Sequence, residues 1–150
     1  MKFEGDANQF MKNNSENALK SLSQSNLSLN GTYEDVMIRL LESRRFEDAN
    51  KFATNLRNRN PWSGPTYFVS AAYYESIGNL DEASRYIQEA IRIDKYNITY
   101  LNAATFISLK RNELDKARIY LNQSKSVSPD QKAISVLGNL IAKGGIESAR

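Results

Sequence analysis

Apolar residues recur along this chain with helical spacing, in pairs of stripes separated by short polar breaks. Tyr67, Ala71 and Tyr74 lie on one face of a predicted helix, and Gly78-Asn79 then interrupts the pattern. A second apolar stripe follows, at Leu80, Ala83, Ile87, Ala90 and Ile91. Apolar positions three and four residues apart are typical of an amphipathic helix, and glycine is typical of a helix C-terminus. The pattern therefore predicts a hairpin of two helices.

The hairpin pattern occurs three times, with a period of 34 residues. Ala49, Ala83 and Ala117 are separated by this interval. Four further columns of residues keep the same register: Phe46, Leu80 and Leu114; Phe52, Tyr86 and Tyr120; Tyr33, Tyr67 and Leu101; and Leu40, Tyr74 and Ser108. Columns matched over three copies without a gap indicate an internal repeat, which predicts a solenoid of stacked hairpins.

The three copies span about 30–63, 64–97 and 98–131. The turn inside the third copy falls at Arg111-Asn112, and the turn inside the first falls at Arg44-Arg45, without a glycine. The sequence therefore predicts an all-α fold in which three antiparallel helical hairpins stack, and the turn of the first hairpin is its least typical part.

The chain continues at both ends of the repeats. Residues 132–150 begin a fourth copy with an apolar stripe that ends at Gly144-Gly145, formed by Ala133, Val136, Leu137, Leu140 and Ile141. Because the end of a solenoid exposes an apolar face, we expect a C-terminal capping helix here.

Residues 1–29 carry a weaker apolar stripe, formed by Phe3, Phe10, Met11, Ala18, Leu19 and Leu22. This stripe predicts an N-terminal helix near residues 5–23, followed by a connector rich in Ser and Asn. Three roles are open for the segment: it caps the first hairpin, it lies in a groove of the solenoid, or it becomes ordered only with a partner.

The composition excludes several kinds of chemistry. The chain contains neither cysteine nor histidine, so disulfides, thiolate zinc sites and the commonest general base are absent. Adjacent carboxylates occur at Glu34-Asp35, Glu47-Asp48 and Asp81-Glu82. Two of these pairs begin a predicted second helix, where the helix dipole explains them. We therefore expect no catalytic residue, cofactor, metal site or small-molecule substrate, and a protein that is not an enzyme.

The charge pattern and hydropathy bear on which partners the protein binds and where in the cell it is located. The net charge is +3, and acidic residues are interspersed with basic ones, which argues against a nucleic-acid interface. No stretch approaches the roughly 18–20 apolar residues of a membrane span. Residues 1–6 lack the apolar core of a signal peptide. We expect a cytoplasmic protein, or a periplasmic or envelope-associated one if a leader has been removed.

The repeats resemble the tetratricopeptide repeat (TPR) family over residues 30–131. The most similar stretch is Ile77-Gly78-Asn79-Leu80-Asp81-Glu82-Ala83, followed by Tyr86, Ala90 and Asp94. The usual tryptophan column holds Tyr33, Tyr67 and Leu101 instead. This resemblance implies a superhelix of antiparallel helix pairs, in which the first helix of each pair lines a concave face.

The resemblance also implies which side chains face the concave side. They are Glu34, Ile38 and Leu41 in the first copy, Phe68, Ala72 and Glu75 in the second, Asn102, Phe106, Leu109 and Lys110 in the third, and Val136 and Leu140 in the terminal helix. Family members that clamp a carboxylate have Lys, Asn and Arg where this chain has Glu34, Ile38, Phe68 and Ala72, so that clamp is not expected. An apolar trough is expected instead, suited to an apolar peptide or an amphipathic helix of another protein.

The sequence therefore predicts a protein-interaction module, a scaffold or chaperone-like adaptor. Its layout is similar to that of small bacterial chaperones of secretion systems. It is also similar to that of exported repeat proteins of pilus or envelope assembly, with a structural or pilotin-like role. Self-association is a further alternative, because a second copy or residues 1–29 would also cover the trough, and a homodimer stays open.

Overall fold

The computed structural model of the protein describes residues 30–146. This range contains helices and turns and no strand, so the prediction of an all-α fold is confirmed. Its helices are α1 (Asn30–Glu42), α2 (Phe46–Arg59), α3 (Gly64–Ser76), α4 (Leu80–Ile93), α5 (Ile98–Lys110), α6 (Leu114–Val127) and α7 (Lys132–Ala142). The predicted helix near residues 5–23 and its connector lie outside the described residues.

The helices pair as antiparallel hairpins, α1 with α2, α3 with α4 and α5 with α6, and each hairpin packs on the next. The first helices of the hairpins begin at 30, 64 and 98, and the second helices begin at 46, 80 and 114, so both series keep the 34-residue register of the sequence. Helix α7 follows the third hairpin and packs against both α5 and α6. The chain thus builds a short solenoid with a single helix at its C-terminal end.

The three hairpin turns share one backbone geometry despite their different sequences. The residues in left-handed conformation are Arg44 (φ 58°), Gly78 (φ 84°) and Asn112 (φ 62°). In each turn the next N–H donates to the carbonyl five residues earlier, at 2.8 Å from Arg45 to Leu40, 2.9 Å from Asn79 to Tyr74 and 2.8 Å from Glu113 to Ser108. This pattern caps the last carbonyl groups of a helix. The first copy therefore forms the same turn with arginine in place of glycine.

The core consists of three successive clusters of buried side chains. The first is shared by α1, α2 and α3, the second by α3, α4 and α5, and the third by α5, α6 and α7. Ala49, Ala83 and Ala117 are fully buried, where their small side chains let neighbouring helices approach. Because each cluster draws on adjacent hairpins, burial of the apolar residues also fixes how the hairpins stack.

Two helical glycines should respond in opposite ways to alanine. A methyl group at Gly64 would lie 2.8 Å from the hydroxyl oxygen of Tyr100, a buried side chain, whereas one at Gly138 would lie 3.8 Å from Leu121. We expect Gly64→Ala to destabilise the fold by about 1–3 kcal/mol through overpacking. Gly138→Ala should stabilise it by about 0.5–1 kcal/mol, because alanine favours the helix. Urea unfolding followed by circular dichroism measures both changes, and a stabilising Gly64→Ala would contradict the packing described here.

Candidate functional site

A small pocket opens between the first helices of the second and third hairpins. We call it the α3–α5 pocket; its volume is about 170 Å³, and it is lined by Phe68, Ala71, Ala72, Glu75, Ala103, Phe106 and Ile107. Four of the predicted groove residues, Phe68, Ala72, Glu75 and Phe106, therefore meet here. Both helices contribute a phenylalanine and at least one alanine to its lining.

One lining residue of the α3–α5 pocket, Phe68, belongs to a stacked aromatic pair. The ring of Phe68 lies on the ring of Tyr100, with 5.5 Å between centroids and 25° between planes. Tyr100 is fully buried, and burial, followed by the charges of Asp94 and Glu34, raises the pKa of its hydroxyl well above the ordinary value of 10.0. Tyr100 therefore acts as a neutral support beneath Phe68. Phe106, the other phenylalanine of the lining, is 37% exposed.

Another lining residue of the pocket, Glu75, forms an ion pair. The Lys110 ammonium on α5 donates to Glu75 Oε2 on α3 at 2.6 Å, and both side chains are partly buried. The same ammonium lies 5.5 Å from the centroid of the Phe106 ring. This arrangement joins the two helices across the pocket and places paired charges, instead of a free cation, beside its apolar walls. The pocket is therefore polar beside Glu75 and Lys110, but these two side chains together carry no net charge.

The first hairpin contributes a mixed surface. Ile38 is 48% exposed on α1, whereas Leu41 is partly buried and packs against the first core cluster. Glu34 is also partly buried. Burial, followed by repulsion from Asp35, raises the pKa of Glu34 above its ordinary value of 4.5. Helix α1, which precedes the pocket, thus presents an exposed apolar side chain and a partly buried carboxylate.

The raised pKa of Glu34 predicts a pH-dependent stability. The folded state binds the proton more tightly than the unfolded state, so Glu34 lowers stability as the pH rises from 4.5 through its folded pKa. Glu34→Gln should therefore gain stability relative to the wild type over this window and keep a constant advantage above it. Thermal melts between pH 4 and pH 8 measure the difference, and Asp35→Asn should narrow the window because it removes the repelling charge. A difference that does not vary with pH would contradict this.

The other predicted residues of the third copy do not line the pocket. Leu109 is only 2% exposed and packs with Leu121, Leu137 and Ile141, so the prediction that it faces an open trough is corrected: α7 covers it. Asn102 ties helices together, because its Nδ2 donates to Gln131 at 2.7 Å and its Oδ1 accepts from Ser124 Oγ at 2.7 Å.

The terminal helix offers only one open apolar side chain among its predicted groove residues. Val136 is exposed, while Leu140 is partly buried and packs against the third core cluster. Sequence reasoning also missed Ala71, Ala103 and Ile107, which line the α3–α5 pocket. Ala71 lies on the apolar stripe with Tyr67 and Tyr74, a pattern that predicts burial and gives no signal of the space beside it.

None of the described helices has the length and apolar character needed to cross a membrane. No protein-family model matches the sequence, and no curated protein matches it.

Solved structures do match the chain. The Arabidopsis OM64 TPR domain superposes with a TM-score of 0.67 at 16% identity, over 76% of this chain and 94% of that domain. The chain has a TPR-type fold. The Yersinia enterocolitica type III secretion chaperone SycD, in complex with a peptide of the translocator YopD, gives a TM-score of 0.62 at 16% identity, over 76% of this chain and 87% of that one. A second SycD structure gives 0.61 at 17% identity, over 77% of this chain and 79% of that one.

The first helices of the three hairpins, α1, α3 and α5, are the helices that the TPR resemblance predicts to line a concave face. The α3–α5 pocket lies on two of these helices and draws its walls from consecutive repeats. Because proteins of one fold bind unrelated ligands, what this pocket binds depends on its own lining residues.

Proposed function

We propose that the protein is a non-catalytic interaction module that holds an apolar segment of a partner protein on its concave side. The α3–α5 pocket is the observation that carries this proposal. Its lining combines two phenylalanines, three alanines and a glutamate whose charge is paired with Lys110. Such a surface suits an apolar side chain and offers no unpaired charge to attract a charged one.

The pocket has the scale of one apolar side chain. Its volume of about 170 Å³ accepts a leucine, methionine or phenylalanine side chain of the partner. Burial of apolar surface contributes roughly 25 cal/mol per Å², from which the cost of ordering the partner must be subtracted. Ile38 on α1 provides a second exposed apolar contact, so an extended segment or amphipathic helix with spaced apolar anchors fits the surface best.

A chaperone role in a secretion system is the more specific form of this proposal. SycD shares the fold and has been solved with a peptide of the translocator YopD. By analogy, the bound segment here would be a hydrophobic part of an exported protein. The chain would shield that segment from water in the cytoplasm until the protein is transported. A structural role in envelope or pilus assembly would use the same surface after export, so fractionation of the source cell separates the two settings.

A photo-crosslinking residue can test the proposal in the source cell. We would place p-benzoylphenylalanine at position 38, which is exposed on α1 and leaves the pocket itself empty. The matched control carries it at position 88, exposed on the second helix of the middle hairpin. We expect an adduct from position 38 and none from position 88, with mass spectrometry locating an apolar segment of another protein.

The outcomes of this experiment separate the candidate functions. An adduct of this chain with itself would favour self-association over guest binding. An adduct with residues 1–29 of the same molecule would mean that the chain covers its own groove. Equal labelling from positions 38 and 88 would remove the support for a concave-side partner.

A further inference from the structure

The third hairpin lacks an aromatic ring that both earlier hairpins have. Tyr67 stacks on Tyr86 with 6.1 Å between centroids, and its hydroxyl donates to the Pro61 carbonyl at 2.6 Å. In the first hairpin, Tyr33 packs edge-on against Phe52, and its hydroxyl accepts a hydrogen bond from the side chain of Asn60. Both hydroxyl groups contact the loop between α2 and α3, Tyr33 from the hairpin before the loop and Tyr67 from the hairpin after it.

Leu101 occupies the equivalent position in the third hairpin, 34 residues after Tyr67. Its side chain is 1% exposed, is shorter than a tyrosine side chain, and has no hydroxyl group to bond the loop between α4 and α5. A pocket of about 460 Å³ opens at this place, and we call it the Leu101 pocket; it is lined by Ile91, Lys95, Tyr96, Leu101, Gln123, Ser126 and Val127. Lys95 stands 34 residues after Pro61, the residue that Tyr67 reaches in the middle hairpin. The missing ring therefore coincides with an open cavity.

The lining of the Leu101 pocket combines apolar side chains with one cation. Ile91, Leu101 and Val127 supply the apolar part, and Lys95 is the only charged residue among the lining residues. Within residues 33–146 the Lys95 ammonium forms no ion pair, and it lies 5.2 Å from the centroid of the Tyr96 ring. The neighbouring acid, Asp94, accepts a hydrogen bond from Asn97.

We propose that the Leu101 pocket is a second protein-binding site, which takes an aromatic side chain from an acidic segment of a partner. The ring of the partner would fill the space that Tyr67 fills from within the chain in the middle hairpin. A carboxylate beside that ring would pair with Lys95, and the exposed Tyr96 ring would flank the inserted one. The Leu101 pocket shares no lining residue with the α3–α5 pocket, so the two sites are independent.

Three short peptides test this proposal on the whole chain. The probe is acetyl-Asp-Phe-Asp amide, the ring control is acetyl-Asp-Ala-Asp amide, and the charge control is acetyl-Lys-Phe-Lys amide. Each is titrated at millimolar concentration into the ¹⁵N-labelled protein, and amide shifts are followed by NMR. We expect the probe to give saturable shifts at Lys95, Tyr96, Leu101 and Val127. The ring control should give none, and the charge control should bind about two- to fivefold more weakly, the range for a partly exposed ion pair.

Two variants separate the contributions of shape and charge. Leu101→Tyr supplies the missing ring from the chain itself and should abolish the saturable shifts caused by the probe. Lys95→Glu changes an exposed side chain, so folding is not at risk, and it should reverse the preference between the acidic and the basic aromatic peptide. Lys125→Gln removes an exposed charge on α6 that does not line the pocket, and it should leave the affinity for the probe unchanged.

Several results would overturn the proposal. One is equal binding of the phenylalanine and alanine peptides, and another is an unchanged peptide preference in Lys95→Glu. Shifts at the same four amides that grow with protein concentration, without peptide, would assign the pocket to a second copy of this chain instead. The absence of localised shifts at millimolar probe would also reject it.

Discussion

Phe106→Glu should weaken binding of the partner segment captured at position 38 by about 30-fold or more, the loss typical of an aromatic hot spot at the centre of an interface. Phe106 forms one wall of the α3–α5 pocket, and a bound apolar side chain would have to desolvate the new carboxylate. Because Phe106 is 37% exposed, the carboxylate reaches water in the free protein, and the fold should survive. Isothermal titration calorimetry with the synthetic segment measures the change.

The matched control for this experiment is Ile119→Glu. Ile119 is 56% exposed on α6, and it lines neither of the two pockets, so the same gain of charge should leave the affinity unchanged. Combining Phe68→Glu with Phe106→Glu should abolish binding, although the stability of that double variant needs its own measurement because Phe68 stacks on Tyr100. Similar losses in Phe106→Glu and Ile119→Glu would mean that general charge, and not the pocket, governs binding.

The sequence predicts the fold well because several independent sets of residues repeat at the same 34-residue interval. The buried alanines at 49, 83 and 117 and the left-handed residues at 44, 78 and 112 both follow the 34-residue period. The first turn is the exception in sequence, since Arg44 stands where the other turns have Gly78 and Asn112, two residue types that adopt this conformation readily. Its geometry still matches the others, because the packing of α1 on α2 outweighs a local cost of about 1 kcal/mol for a non-glycine residue in this conformation.

The groove was less predictable, because the periodicity of one helix does not reveal which neighbour covers it. Glu75 and Leu109 hold equivalent positions in consecutive repeats. Glu75 reaches the pocket edge and pairs with Lys110, whereas Leu109 is sealed beneath α7. The difference arises from the position of α7, which packs on both α5 and α6 at the end of the solenoid. The departure of Leu101 from the aromatic column was visible in sequence, but the cavity beside it depends on the loop and helix ends around it.

Tyr100→Ala should destabilise the protein by about 3–5 kcal/mol, the cost of truncating a large buried aromatic side chain. Tyr100 is 1% exposed, lies against Gly64 at the start of α3, and carries the ring of Phe68 on its face. Its removal would leave a cavity between the second and third hairpins. For a chain of this size the melting temperature should fall by roughly 10–20 °C, measured by circular dichroism.

Tyr96→Ala is the matched control, because it makes the same chemical change four residues earlier on a side chain that is 65% exposed. It should alter stability by no more than about 0.5 kcal/mol. Tyr100→Phe keeps the supporting ring, so it should retain most of the stability and the affinity for the concave-side segment, while Tyr100→Ala should lose both. Since a solenoid transmits stability only between neighbouring repeats, loss of this contact should also broaden the thermal transition. Equal destabilisation by Tyr96→Ala and Tyr100→Ala would contradict the placement of Tyr100 between the hairpins.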